Sequence, residues 1–158
     1  MIPIIRIRNT SAVAWGRNAR NNAFEVEIAG EVLAGQSWLG VLAQEVFESR
    51  HKWSRGLIGV ALVRRWREDM ELMGHTIEAC VASQWDGFDY DAYLLLEAQT
   101  LVSPWSSYQA RGLFKGKTEG DVLALMQQRE RQAARWVREH AGFLNRWAAR
   151  REAEHGRV

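Results

Sequence analysis

Six side chains that can bind a metal or move a proton fall at helical spacing in the first half of the chain. Gln44, Glu48 and His51 follow i, i+4, i+7, and so do Glu71, His75 and Glu78. On a helix each set occupies one face. Two facing stripes of carboxylate and imidazole groups can hold a divalent cation. The same residue types also make solvated or hydrogen-bonded helix faces, and the spacing alone leaves both readings open.

The stretch Gln44-Glu45-Val46-Phe47-Glu48 narrows the chemistry. Zinc peptidases place His-Glu-x-x-His on a helix, because ligands four apart share a face and the intervening Glu serves as base to a metal-bound water. With Val41-Leu42-Ala43 before it and Arg50-His51-Lys52-Trp53 after it, the stretch resembles small zincin-like metallopeptidases of phage and bacterial genomes. The resemblance covers roughly residues 24–84. It implies Gln44 and Glu48 at metal-ligand positions and Glu45 as the catalytic base. It further implies a small sheet ahead of the motif helix and a second helix bringing an acid to the metal. Glu78, followed by Ala79 and Gln84, fits that last role, with Glu71 as a rival and His75 between them. Both histidines of the motif are replaced. A neutral amide is a poor zinc ligand, so tight zinc is not expected, and carboxylate with amide suits Mg or Mn better. The implied protein is a metallopeptidase relative with a degenerate site, weak or inactive as a peptidase. The alternative is a non-enzymatic structural or interaction protein, such as a phage virion or assembly component.

Glu48 with His51, and Glu71, His75 and Glu78, also invite comparison with di-iron bundles, which use Glu-x-x-His pairs on facing helices. Here the second pair is reversed. A hairpin turning near Ser54 would set Glu48 opposite residue 60, which argues against a shared site.

The elements that must position these residues follow from pattern. Ile2 to Arg8 and Phe24 to Ile28 alternate as strands, the polar stretch from Asn9 to Asn22 reads as a loop, and Ala29-Gly30-Glu31 turns into a hairpin return at Val32-Leu33-Ala34. Ser37 is the candidate N-cap of a first helix, which ends at Trp53-Ser54-Arg55-Gly56. A second helix over about 57–83 carries Leu62, Trp66, Met70, Met73, Ile77 and Cys80 as its core stripe. Asp91 caps a third helix, with Tyr93, Leu94, Leu95, Ala98 and Leu101 apolar, and Ser103-Pro104 stops it. Thr118 and Asp121 form a capping box for a long helix to about residue 154. The expected fold is α+β, mainly α, in a single domain over residues 1–158. A small N-terminal antiparallel sheet (1–35) precedes a helical core (37–102) and a long C-terminal helix (118–154).

A helix of that length would span roughly 54 Å at about 1.5 Å per residue, against a body about 40 Å across. The overhang would expose Trp136, Phe143 and Trp147, so a second copy of the chain or a larger assembly is the expected partner. Residues 129–158 hold eight Arg and four Glu, a net of +4 against +2 for the whole chain. Nucleic acid is therefore a possible partner, but the apolar seam of this helix favours packing. Cys80 is the lone cysteine, so no intrachain disulfide forms. No apolar run approaches a membrane span, and a cytoplasmic location, or a virion for an assembly component, is expected.

Overall fold

Ser37 begins the ordered helical body. Its Oγ accepts a hydrogen bond from the Gly40 backbone N–H at 2.9 Å, the N-cap role its position suggests. The helix it opens, α1 (Trp38–Ser54), is the centre of the fold: every residue from 37 to 48 is buried. In this computed structural model the backbone is described for residues 4–8, 14–18, 24–29, 36–54 and 60–155, and side-chain surroundings for 36–48 and 66–150.

Among the described residues from 36 onward, all regular structure is helical. After α1 come α2 (Val60–Asp86), α3 (Tyr90–Val102), the single turn α4 (Ser107–Ala110), α5 (Glu119–Gln127), α6 (Glu130–Glu139) and α7 (Ala141–His155). The fold class is accordingly helical, and the expected α+β fold with a small antiparallel sheet is not upheld. The extended segments Ile4–Arg8, Ala14–Asn18 and Phe24–Ala29 align in the order first, third, second, with the first running parallel to the third. The hairpin return expected near residues 32–34 lies outside the described residues. Within the stretch read as a loop, residues 14–18 are extended.

Two glycines set how α1 and α2 meet. A Cβ on Gly40 would lie 2.8 Å from the Glu78 carbonyl oxygen, and one on Gly74 would lie 2.8 Å from Glu48 Oε1 and 3.1 Å from Gln44 Cγ. The pairs 40/78 and 44/74 run in opposite directions, so the helices are antiparallel and in close contact. Gly40→Ala is therefore expected to destabilise by about 1–3 kcal/mol, because a backbone carbonyl cannot yield as a side chain can. Equilibrium urea denaturation checks this; an unchanged midpoint would mean that the helices separate at no cost.

Two apolar clusters flank the polar stripe of α2. Met70, Ile77, Cys80 and Val81 pack with Trp38, Leu42, Val46 and Phe47 of α1 and with Ala133, Val137 and Leu144. Leu72, Ala79 and Ala82 pack with Leu94, Ala98 and Leu101 of α3, with Leu113 and Phe114, and with Val122 and Met126 of α5. At 100° per residue, the stripe Glu71/His75/Glu78 lies between those two groups. Of the expected core stripe, Met70, Ile77 and Cys80 are buried, while Trp66 and Met73 are half-buried against the same cluster.

The long C-terminal helix is corrected to three. The chain leaves helical geometry at Arg129 (φ −102°, ψ 1°) and at His140 (φ −110°, ψ 12°), not at Gly142. Side chains take over carbonyls at each break. Arg129 Nη1 donates to Leu125 O at 2.7 Å, while its Nη2 donates to Asp69 Oδ1 at 2.7 Å and ties the bend to α2. His140 stacks on Trp136 at 3.9 Å, with its Nδ1 2.7 Å from Trp136 O. The bends keep α6 and α7 on the core, so the overhang argument falls. Trp136 meets Phe47 edge-on at 6.1 Å, Trp147 lies 6.3 Å from Trp38, and Phe143 packs beside them. All three aromatics expected to bind a partner are thus half-buried against their own chain.

Smaller corrections concern α3. Its N-cap is Asp89, whose Oδ1 accepts from Ala92 N at 2.8 Å, so Asp91 sits in the first turn. Leu95 is exposed. The Thr118/Asp121 capping box forms as expected.

Candidate metal centre

The antiparallel contact brings Gln44 and Glu48 of the first stripe against the second stripe and buries them. Gln44, Glu45 and Glu48 from α1, and Glu71, His75 and Glu78 from α2, are all buried. The reading of these faces as solvated is therefore overturned. The register objection falls too. The pairs 40/78 and 44/74 centre the antiparallel register on position 59 instead of 54, and each residue of shift at the centre moves the partner by two. Glu48 accordingly meets Glu71 and Gly74, not residue 60. The His51 side chain lies outside the described residues.

His75 is the hub. Its Nδ1 is hydrogen-bonded to Glu97 Oε2 of α3. Its Nε2 lies 3.1 Å from Gln44 Nε2, 3.0 Å from Tyr108 OH of α4 and 3.4 Å from Glu71 Oε2. Gln44 Nε2 also donates to Glu48 Oε1 at 3.1 Å. On the far side Tyr93 OH donates to Glu78 Oε2 at 2.5 Å and accepts from Ser37 N at 3.1 Å. Ligand atoms of Glu48, Glu71 and His75 all lie within 4.8 Å of one another, and so do those of His75, Glu78 and Glu97. Every residue placed in the metal set by sequence is therefore at the centre. Glu78 sits in the half shared with Glu97, and Glu71 in the half shared with Glu48.

Charge is badly balanced. Among the described residues, five carboxyl groups and one imidazole are buried. Burial first, then the neighbouring Glu71 and Glu45 carboxylates, push Glu48 well above the usual carboxylate range. Burial and Glu97 do the same to Glu78. For Glu71 burial is the largest single influence and acts upward, yet His75, Glu48 and Arg111 together hold its carboxyl below the ordinary value. Glu97 follows the same pattern, with His75 and Glu78 outweighing burial. Burial alone would push His75 down; the Tyr108 oxygen and the Glu97 and Glu71 carboxylates outweigh it and hold the imidazole well above its ordinary value. Without a cation these influences favour the charged form of His75, Glu71 and Glu97 and the protonated form of Glu48 and Glu78.

Sequence reasoning missed Glu97, Tyr93 as a polar group, and Tyr108. Glu97 left a signal: it interrupts the apolar face of α3 between Leu94 and Leu101. Tyr108 left none, since it stands in a Gly- and Ser-rich stretch. Cys80 is buried and free, and burial pushes its thiol up to about 11, an inert thiol.

Comparison with known proteins returns no matching family model, no matching curated protein and no matching solved structure. No described helix is long and apolar enough to cross a membrane.

Proposed function

We propose that this chain binds one divalent cation among Glu48, Glu71 and His75, with the Gln44 side chain holding Glu48 in place through the hydrogen bond from its Nε2. The supporting observation is Glu71 Oε2, which is buried without a hydrogen-bond partner and faces His75 Nε2 at 3.4 Å. A buried carboxylate oxygen without a hydrogen bond of its own keeps part of its desolvation cost, and a cation beside it would offset that cost. The Nδ1 contact to Glu97 supports the same reading. A carboxylate on one ring nitrogen fixes the tautomer that turns the other towards a metal.

Oxygen ligands with one imidazole suit Mn²⁺, Mg²⁺ or Fe²⁺ better than Zn²⁺. Glu48 of the motif helix and the rival acid Glu71 of the next stand at positions the zincin-like resemblance implies, whereas Glu78, its first choice on the second helix, lies in the other half with Glu97. In that reading the cation lowers the pKa of a bound water and Glu45, buried and close enough to raise Glu48, is its base. With no histidine at 44 or 48, peptidase activity is weak or absent.

Calorimetric titration of chelator-treated protein with MnCl₂ tests the reading. One site per chain is expected, weakened at least ~10-fold in Glu71→Gln. No heat and no thermal shift with Mn²⁺, Fe²⁺ or Zn²⁺ would overturn it and leave a structural protein with a buried polar network. Submicromolar zinc affinity lost in Glu48→Ala would instead restore a tight-zinc peptidase.

A further inference from the structure

A ring nitrogen has one in-plane direction, used by either one proton or one lone pair. His75 Nε2 is nevertheless met by three polar atoms, from Gln44, Glu71 and Tyr108. Its other nitrogen is already committed to Glu97, so hydrogen bonding at Nε2 cannot satisfy all three. Their spacing has another explanation. Ligands about 2.1 Å from a cation lie about 3.0 Å apart when octahedral and about 3.4 Å apart when tetrahedral. The separations from His75 Nε2 are 3.0 Å to Tyr108 OH and 3.4 Å to Glu71 Oε2, while the Gln44 amide nitrogen at 3.1 Å is a donor and not a ligand. Both oxygen distances match the spacing of neighbouring ligands around one ion.

We propose that Tyr108 is a direct ligand of that cation through its phenolate oxygen, so that α4 completes a coordination shell begun by α1 and α2. The inference rests on the metal reading above and adds a ligand from an element outside the motif. Tyr108 is well placed for it. Its ring stands edge-on to His75 at 5.5 Å, and the Arg111 guanidinium covers it from the exposed side at 5.2 Å. The Ser106 hydroxyl holds the turn by accepting from Gln109 N at 3.3 Å. Ligation breaks the phenolic O–H bond and forms an oxygen–metal bond. The proton passes to buffer, and no electron is transferred.

Ferric ion, supplied as its citrate complex, is the probe, because carboxylate and imidazole ligands give it no intense visible band whereas phenolate does. The wild type is expected to turn coloured with one ferric ion bound and to show tyrosinate ring modes in resonance Raman spectra. Tyr108→Phe should lose the colour and bind Mn²⁺ at least ~10-fold more weakly, with its helical circular dichroism unchanged. The chain has three tyrosines, so if Tyr108→Phe does not fold, retention of the band in both Tyr90→Phe and Tyr93→Phe assigns it to Tyr108 by elimination. A colourless ferric complex, or a band that survives Tyr108→Phe, overturns the proposal while Mn²⁺ binding that depends on Glu71 leaves the metal reading standing. If neither ion binds, both fall together.

Discussion

His75→Ala is expected to cost the metal-free protein about 3–5 kcal/mol near pH 6, the range for removing one partner of a buried ionic cluster. Two terms set the pH window. The Glu71 and Glu97 carboxyls are held below their ordinary value, so they contribute stability present above about 4.5 and lost as pH falls through their folded values. The His75 imidazole is held above its ordinary value, so its contribution is complete below about 6.5 and lost as pH rises through its folded value. The deficit of the variant should therefore be largest between those limits and shrink on either side. Urea unfolding at pH 4, 6 and 9 in the presence of a chelator reads this directly. A deficit independent of pH would show that the imidazole contributes volume alone, and the charge assignment would be wrong.

The opposite sign is expected at Glu48. Its carboxyl is raised by burial and by Glu71 and Glu45. Its stabilising share is thus complete below about 4.5 and lost as pH rises through the raised value. Glu48→Gln keeps the shape, can still donate to Glu71 and accept from Gln44, and never ionises. The metal-free variant should match the wild type near pH 4 and exceed it by about 1–2 kcal/mol at pH 8, since removing buried charge is often stabilising. It should also lose cation affinity. Gaining stability by neutralising a binding residue is the signature of a site that trades stability for function. A Glu48→Gln protein that melts below the wild type at pH 8 would rule this out.

How far the sequence could be read depended on whether a feature was local. The i, i+4, i+7 stripes, the Ser37 cap and the Thr118/Asp121 box are set by neighbours within two turns, and each stands where its spacing put it. Burial of the stripes was not local. It depends on Gly40 and Gly74, which look like ordinary helix-weakening residues until a second helix is laid on them. The register depended on where a reversal is centred, and a five-residue displacement of that centre decided whether Glu48 met anything. The breaks at Arg129 and His140 were hidden because neither residue forbids a helix. What ends the helix is Asp69, 60 residues away, and an imidazole stacked on Trp136. Tyr108 reaches His75 only because α4 is placed by the packing of α3 and α5.

The contact between Trp147 and Trp38 has a consequence during synthesis. The two residues are 109 apart in the chain (147 − 38), and α7 supplies Leu144 and Trp147 to the cluster built on α1. At about 5–20 residues per second a ribosome needs roughly 5–20 s to traverse that interval. Until α7 emerges, the apolar wall that α1 shares with it is unfinished. Nascent chains stalled before residue 144 should therefore be protease-sensitive across α1, and should recruit chaperones there. The closing step of folding is then the arrival of the tail, which places the completion of the apolar wall of α1 under the control of translation rate.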